Sequence, residues 1–196
     1  MRDEGAGAMK PPREHILRVN RYASAYHEAG HAIVAYAVGW WINDEGAEID
    51  ERQYTGLRSY VEDYTSENKI AISLAGWLAE FKWHGLGNLR NDEDLLWEID
   101  DVRMHQIGNL SDAEGEDNFD AFDQLLLDSP GATDVEILTN YRMHQRRVMG
   151  LLDDPYIWRA VEAVAALLLK HGKIGDDAVR AICNEPMAFD QTTAAE

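Results

Sequence analysis

Cysteine is nearly missing from this chain: Cys183 is the only one in 196 residues. An internal disulfide framework is thereby excluded, and a reducing compartment is the simplest expectation. Basic residues are scarce as well, with 18 Lys and Arg against 36 Asp and Glu and a formal charge of -18. A field of that sign repels nucleic acid and anionic lipid unless a local basic patch overcomes it. The densest basic cluster, Arg142 to Arg147, holds only three arginines, so nucleic acid is not an expected partner. No apolar run approaches the roughly 20 residues needed to span a bilayer. The stretch from Met1 to Pro12 lacks the apolar core of a signal peptide. The expectation is a cytoplasmic protein without a membrane span. There is no Gly-x-Ser-x-Gly elbow for serine chemistry, and Cys183 has no histidine beside it.

What remains is the composition of a folded protein. Hydrophobic residues make up 45% and charged residues 28%, enough apolar surface for a real core. The pattern predicts mainly helix with a small sheet, an α+β arrangement in one domain over 21–186. It is flanked by a flexible arm at 1–20 and a tail at 187–196. A helix is predicted from Ser24 to Val38, with Tyr26, Ala29, Ile33, Val34 and Ala37 as its stripe and Gly39 as C-terminal cap. Ala47 to Ile49 and Leu57 to Val61 read as short strands. Further helices are predicted over about Ser66–His84, Asn91–Ile107, Asp134–Leu152, Asp154–Gly172 (with Pro155 in its first turn) and Asp176–Cys183. The acidic stretch 111–134, with Gly115, Pro130 and Gly131, reads as a long loop or insertion. It lacks the spacing of a calcium-binding loop. Trp77 and Trp158 fall on apolar stripes and read as core. Trp40 and Trp41 follow the first helix, where they either pack or line a groove.

The strongest signal is His27-Glu28-Ala29-Gly30-His31. Residues four apart stack on one face of a helix, so both imidazoles can address one ion. Glu28 beside them has the reach to deprotonate a water activated by zinc. Ala29, Gly30 and Ala32 are small enough for another element to approach closely. A catalytic zinc takes three protein ligands, and the extended metzincin pattern is excluded because Val34 and Ala37 stand where Gly and His are required. The residues alone leave Glu80, His84, Asp92, Asp94 and His105 as candidates for the third.

The block Ala25-Tyr26-His27-Glu28-Ala29-Gly30-His31-Ala32-Ile33-Val34 resembles the zinc-site helix of the FtsH-type peptidase family. That family is the protease half of membrane-bound AAA proteases. Ile72 to Glu80 is similar to its second helix, Asn91 to Leu95 to the segment that supplies its third ligand, and Ala163 to Ile182 to its C-terminal helical pair. The resemblance implies a zincin-like helical metallopeptidase with zinc on His27, His31 and Asp94 and with Glu28 as base. Asp94 is favoured because Leu95 follows it directly; Asp92 is second, and Glu80 takes a structural role. It further implies peptide or unfolded-protein substrates and a possible homo-oligomer or partner ATPase. The sequence contains no Gly-x-x-x-x-Gly-Lys-Ser/Thr phosphate loop, so no motor is expected in this polypeptide. The alternative is a catalytically inactive, zinc-stabilised binding or regulatory module on the same fold.

Overall fold

The computed structural model describes residues 13–40 (13–20 by their backbone), 42, 46–49, 65–85, 91–106 and 117–184. They form seven helices and one two-stranded sheet in the order α1 (Arg13–Ala37), β1 (Ala47–Glu48), α2 (Ser66–Trp83), α3 (Asp92–Gln106), α4 (Asp117–Asp128), α5 (Asp134–Leu152), α6 (Pro155–His171), β2 (Lys173–Ile174) and α7 (Asp176–Asn184). The protein is mainly α with a small sheet, as its pattern predicts. No helix among the described residues is long and apolar enough to cross a membrane.

Helix α1 is the centre of the packing. It lies against α2 on one side and α6 on another, and also meets α5, α7 and β1. This explains why Ala29, Gly30, His31, Ala32, Ile33, Val34 and Ala35 are all buried in succession, not confined to one stripe. A helix that is covered all round needs no polar face. It also begins at Arg13, eleven residues before Ser24, so part of the expected arm at 1–20 belongs to it. Gly39, with φ +87°, ends the turn after α1 as expected of a cap.

Two helices crossing at ordinary separation keep their side chains between them; α1 and α2 come closer. A Cβ on Gly30 would meet the Ala75 carbonyl oxygen at 2.5 Å and the Ala79 Cβ at 2.6 Å. Both neighbours are backbone or methyl, so neither can swing away. Ile70, Leu74 and Leu78 of α2, Leu95, Ile99 and Val102 of α3, and Ile137, Tyr141 and Val148 of α5 complete one continuous core. Helix α6 starts as predicted, with the Asp154 side chain accepting from the Tyr156 and Ile157 amides and Pro155 in the first turn. Helix α5 starts on a Thr133–Glu136 capping box.

One reading of the sequence is corrected. The stretch 111–134 is not a loop throughout: Asp117–Asp128 is helix α4, burying Phe119, Phe122, Leu125 and Leu126 at helical spacing. Strand β1 pairs antiparallel with β2, Ala47 opposite Ile174 and Glu48 opposite Lys173. The other expected strand, Leu57 to Val61, lies outside the described residues, as does Trp41. Trp40 is packed against Ala35 and Ile72 in a small apolar cluster, which makes it a core residue and not a groove lining. Trp77 is buried and Trp158 packs on the core, as expected.

The closeness of α1 and α2 gives the first prediction. Gly30→Ala should destabilise the metal-free protein by about 1–3 kcal/mol in urea titration, because overpacking outweighs the ~1 kcal/mol that alanine contributes to helix propensity. A variant as stable as the parent would show that the two backbones do not touch there.

Candidate metal centre

One turn of α1 separates His27 from His31, and both rings point toward α2. There Gly76 clears the space they need: a Cβ at that position would lie 2.6 Å from His27 Nε2 and closer still to His31 Nε2. Glycine in a helix interior costs about 1 kcal/mol relative to alanine. At Gly76 the missing side chain leaves a cradle in front of the two imidazoles.

The neighbours of each ring settle its protonation pattern. His31 Nδ1 lies 2.7 Å from the Ile72 carbonyl oxygen, in a buried contact. A carbonyl only accepts, so Nδ1 carries the proton and Nε2 is left with its lone pair. His27 Nδ1 faces Glu80 Oε2 at 3.5 Å, which turns His27 Nε2 toward the same point. The two Nε2 atoms are 3.2 Å apart. Asp117, in the first turn of α4, brings Oδ2 to 2.9 Å from His27 Nε2 and 3.2 Å from His31 Nε2. His27, His31 and Asp117 are the one group of potential metal ligands that converge among the described residues.

These three distances decide what the site can hold. Ligands bonded to zinc at roughly 2.0–2.1 Å sit about 3.3 Å apart along the edges of a tetrahedron. The triangle of 2.9, 3.2 and 3.2 Å is close to one face of that figure. Three lone pairs directed at one point repel unless protons or a cation lie between them, so the donor set, its spacing and the Gly76 cradle all fit a divalent ion. Side-chain exposure is 23% for His27 and 24% for Asp117 but 7% for His31. The site is therefore closed on the His31 side and open toward solvent along the His27–Asp117 edge.

Without a metal, protons take its place. Burial pulls the His27 pKa down, but hydrogen bonds with Asp117 and Glu80 and the charges of Asp117 and Glu28 outweigh it, pushing it up from 6.5 to about 10. His31 is likewise raised: burial and the His27 charge oppose this, while Asp117 and Glu28 prevail. Burial works against an ionised Asp117, yet the charge of His31 and hydrogen bonds from both imidazoles hold it well below the usual carboxylate range. Glu28 is buried on the same turn of α1, and its charge acts on both rings.

The chain matches no model of a known protein family and no curated protein. The arrangement is thus argued from its own atoms. The structure brings His27, Glu28 and His31 together as expected; Asp117, and not Asp94, stands against the two imidazoles. Asp94 is exposed at the start of α3, where its carboxylate accepts from Asn91 Nδ2 at 2.8 Å while Asn91 Oδ1 accepts from the Asp94 amide at 2.9 Å. Asp92 is held by Arg142 at 2.6 Å. Glu80 supports His27, and His84 lies 4.0 Å from Glu80. His105 packs edge-on against Phe119, with centroids 5.0 Å apart. The signal for Asp117 was present: an acid directly ahead of the apolar spacing Phe119, Phe122, Leu125 and Leu126. Gly115 and the surrounding acids disguised it as loop.

Helix α4 is fixed where Asp117 needs it. Phe122 stacks on Tyr141 at 4.4 Å, and Tyr141 donates to Asn118 Oδ1 at 2.7 Å. These contacts anchor the residue next to Asp117.

Two predictions follow from the donor set. Titration of metal-free protein with zinc should give one tight site, weakened at least a hundredfold by Asp117→Asn, about tenfold to a hundredfold by Glu80→Gln, and not at all by Asp94→Asn. Metal loss in the Asp94 variant alone would reverse the assignment. The second concerns pH. A raised His27 pKa contributes stability that is full below 6.5 and lost as pH rises through about 10. The lowered Asp117 pKa contributes stability present above 3.8 and lost on further acidification. The melting temperature of the metal-free protein should thus fall between pH 6.5 and 10 relative to Asp117→Asn. Equal slopes for the two proteins would show that no proton bridges the cluster.

Proposed function

We propose that this chain is a zinc-dependent metallopeptidase of the FtsH type, with zinc held by His27, His31 and Asp117 and with Glu28 as general base. The observation that carries this reading is the convergence of His27 Nε2 and His31 Nε2 of α1 with Asp117 Oδ2 of α4 within 3.2 Å of one another, with Glu28 on the same helix as the two histidines. Zinc in such a site lowers the pKa of a coordinated water to about 7 and polarises a carbonyl oxygen.

The protein's own residues do the rest. His31 is locked by the Ile72 carbonyl and His27 is oriented by Glu80, so neither ring has to reorganise when a substrate arrives. Glu28, one residue along α1 from His27, takes the proton from the attacking water and returns it to the leaving amine. The partly exposed His27–Asp117 edge admits a polypeptide carbonyl, an opening that a purely structural zinc site does not require. The substrates of this reading are unfolded segments or small proteins, alone or delivered by a partner ATPase.

The test is hydrolysis of fluorescently labelled, denatured casein by the zinc-loaded protein beside Glu28→Gln. Zinc content should be equal in both, and turnover should fall at least about a hundredfold in the variant, the scale of general-base catalysis. A zinc-loaded parent that leaves casein intact would instead support the binding or regulatory module. Full activity in Glu28→Gln would remove Glu28 as base.

A further inference from the structure

Helix α3 buries Leu95, Ile99 and Val102, three residues on one side. At 100° per residue, Trp97 and Met104 lie within about 20° of each other on the opposite side. Both face solvent: Trp97 is 67% exposed and Met104 43%. Tryptophan is usually well covered, and among the described residues this one is not part of the buried core. The two side chains are seven residues apart, about 10.5 Å along the helix, the spacing at which one helix meets another over two turns.

What flanks this stripe selects its occupant. Glu93 and Asp100 run along one side of it and Asp94 and Asp101 along the other, all exposed. Helix α3 carries six acidic residues, including these four. Asp92 is engaged by Arg142, and Arg103 is directed to Asp134 and the Ala132 carbonyl. Asp94 accepts a neutral hydrogen bond from Asn91, and among the described residues none of the four flanking acids has a cationic partner, so they form a negative frame around the indole. A second copy of the chain would bring the same frame against itself, and nucleic acid or anionic lipid would be repelled by it. Lysine and arginine are the complement: their charges meet the carboxylates, and the indole face attracts a cation or covers an aliphatic stem.

We propose that the outer face of α3 is a docking surface for a basic amphipathic helix of a partner protein. The apolar residues of that helix pack on Trp97 and Met104, and its Lys and Arg residues pair with Glu93, Asp94, Asp100 and Asp101. The surface is separate from the metal ligands and does not depend on the chemistry proposed for them.

The experiment uses a synthetic 18-residue helical peptide with leucine at positions i and i+7 and lysine on both flanks, fluorescently labelled and titrated with the full chain. A peptide of the same design with glutamate in place of lysine is the counter-probe. Trp97→Ala should weaken binding at least about tenfold, the scale of a central tryptophan anchor. Asp100→Asn/Asp101→Asn should weaken it by a similar factor, and increasingly less so as salt is raised. Glu162→Gln/Asp177→Asn removes two charges from other exposed positions and should change affinity by less than about twofold. Circular dichroism checks that each variant is folded. Equal affinity for Trp97→Ala and parent would overturn the proposal, as would equal losses in the two charge variants, which would reduce the binding to net charge. Equal binding of the glutamate peptide, or Trp97-dependent self-association in sedimentation, would overturn it as well.

Discussion

The contact between α1 and α2 is the constraint on which the rest of the structure depends. Two glycines, one on each helix, remove the side chains that would hold the backbones apart: Gly30 faces Ala75 and Ala79, and Gly76 faces His27 and His31. The approach delivers the Ile72 carbonyl to His31 and the Glu80 carboxylate to His27. One packing event therefore sets the orientation and the tautomer of both imidazoles. The stabilising terms are dispersion and apolar burial across the core, and the site inherits its rigidity from them.

The third side of the triangle comes from a different kind of interaction. Asp117 is held by α4, whose apolar face is anchored on α5 through Phe122 and Tyr141 and on α3 through Phe119 and His105. An aspartate surrounded by two imidazoles at 2.9 and 3.2 Å is stable only because charge is balanced there. Protons supply that balance in the metal-free protein, and in the zinc-bound state proposed above the cation would take their place. On that proposal, metal occupancy and pH are coupled through the same three side chains.

Much of this was legible from residue order, for identifiable reasons. The apolar stripes of α5 and α6 are regular and their caps are chemically explicit, as with Asp154 and Pro155. The spacing of His27 and His31 needs only helical geometry to bring two rings together. Asp117 was obscured, because Gly115 and the acids around it make the start of α4 read as loop, whereas Asp94 opens a helix and is followed directly by Leu95. Which of the two reaches the histidines is decided by how α4 packs on α2 and α5, a tertiary fact that no local pattern encodes. The β1–β2 pairing was missed for the same reason, since its partner strand lies more than a hundred residues away. A backbone carbonyl such as that of Ile72 leaves no mark in a sequence at all.

The covering of α1 by α6 also has a bearing on how the protein is made. Arg21 donates to the Leu169 carbonyl at 3.0 Å, and the strand after α1 pairs with the strand after α6. Helix α1 is thus completed only by elements near the end of the described chain. At roughly 5–20 residues per second, the interval between their syntheses is on the order of ten seconds. Through that interval the face of α1 that α6 covers is without its partner, while α2, made earlier, already carries the Ile72 carbonyl and the Glu80 carboxylate that the histidines use. The nascent chain therefore holds every residue of the His27–His31–Asp117 cluster before the apolar face of α1 is covered, and that exposure ends only when α6 arrives.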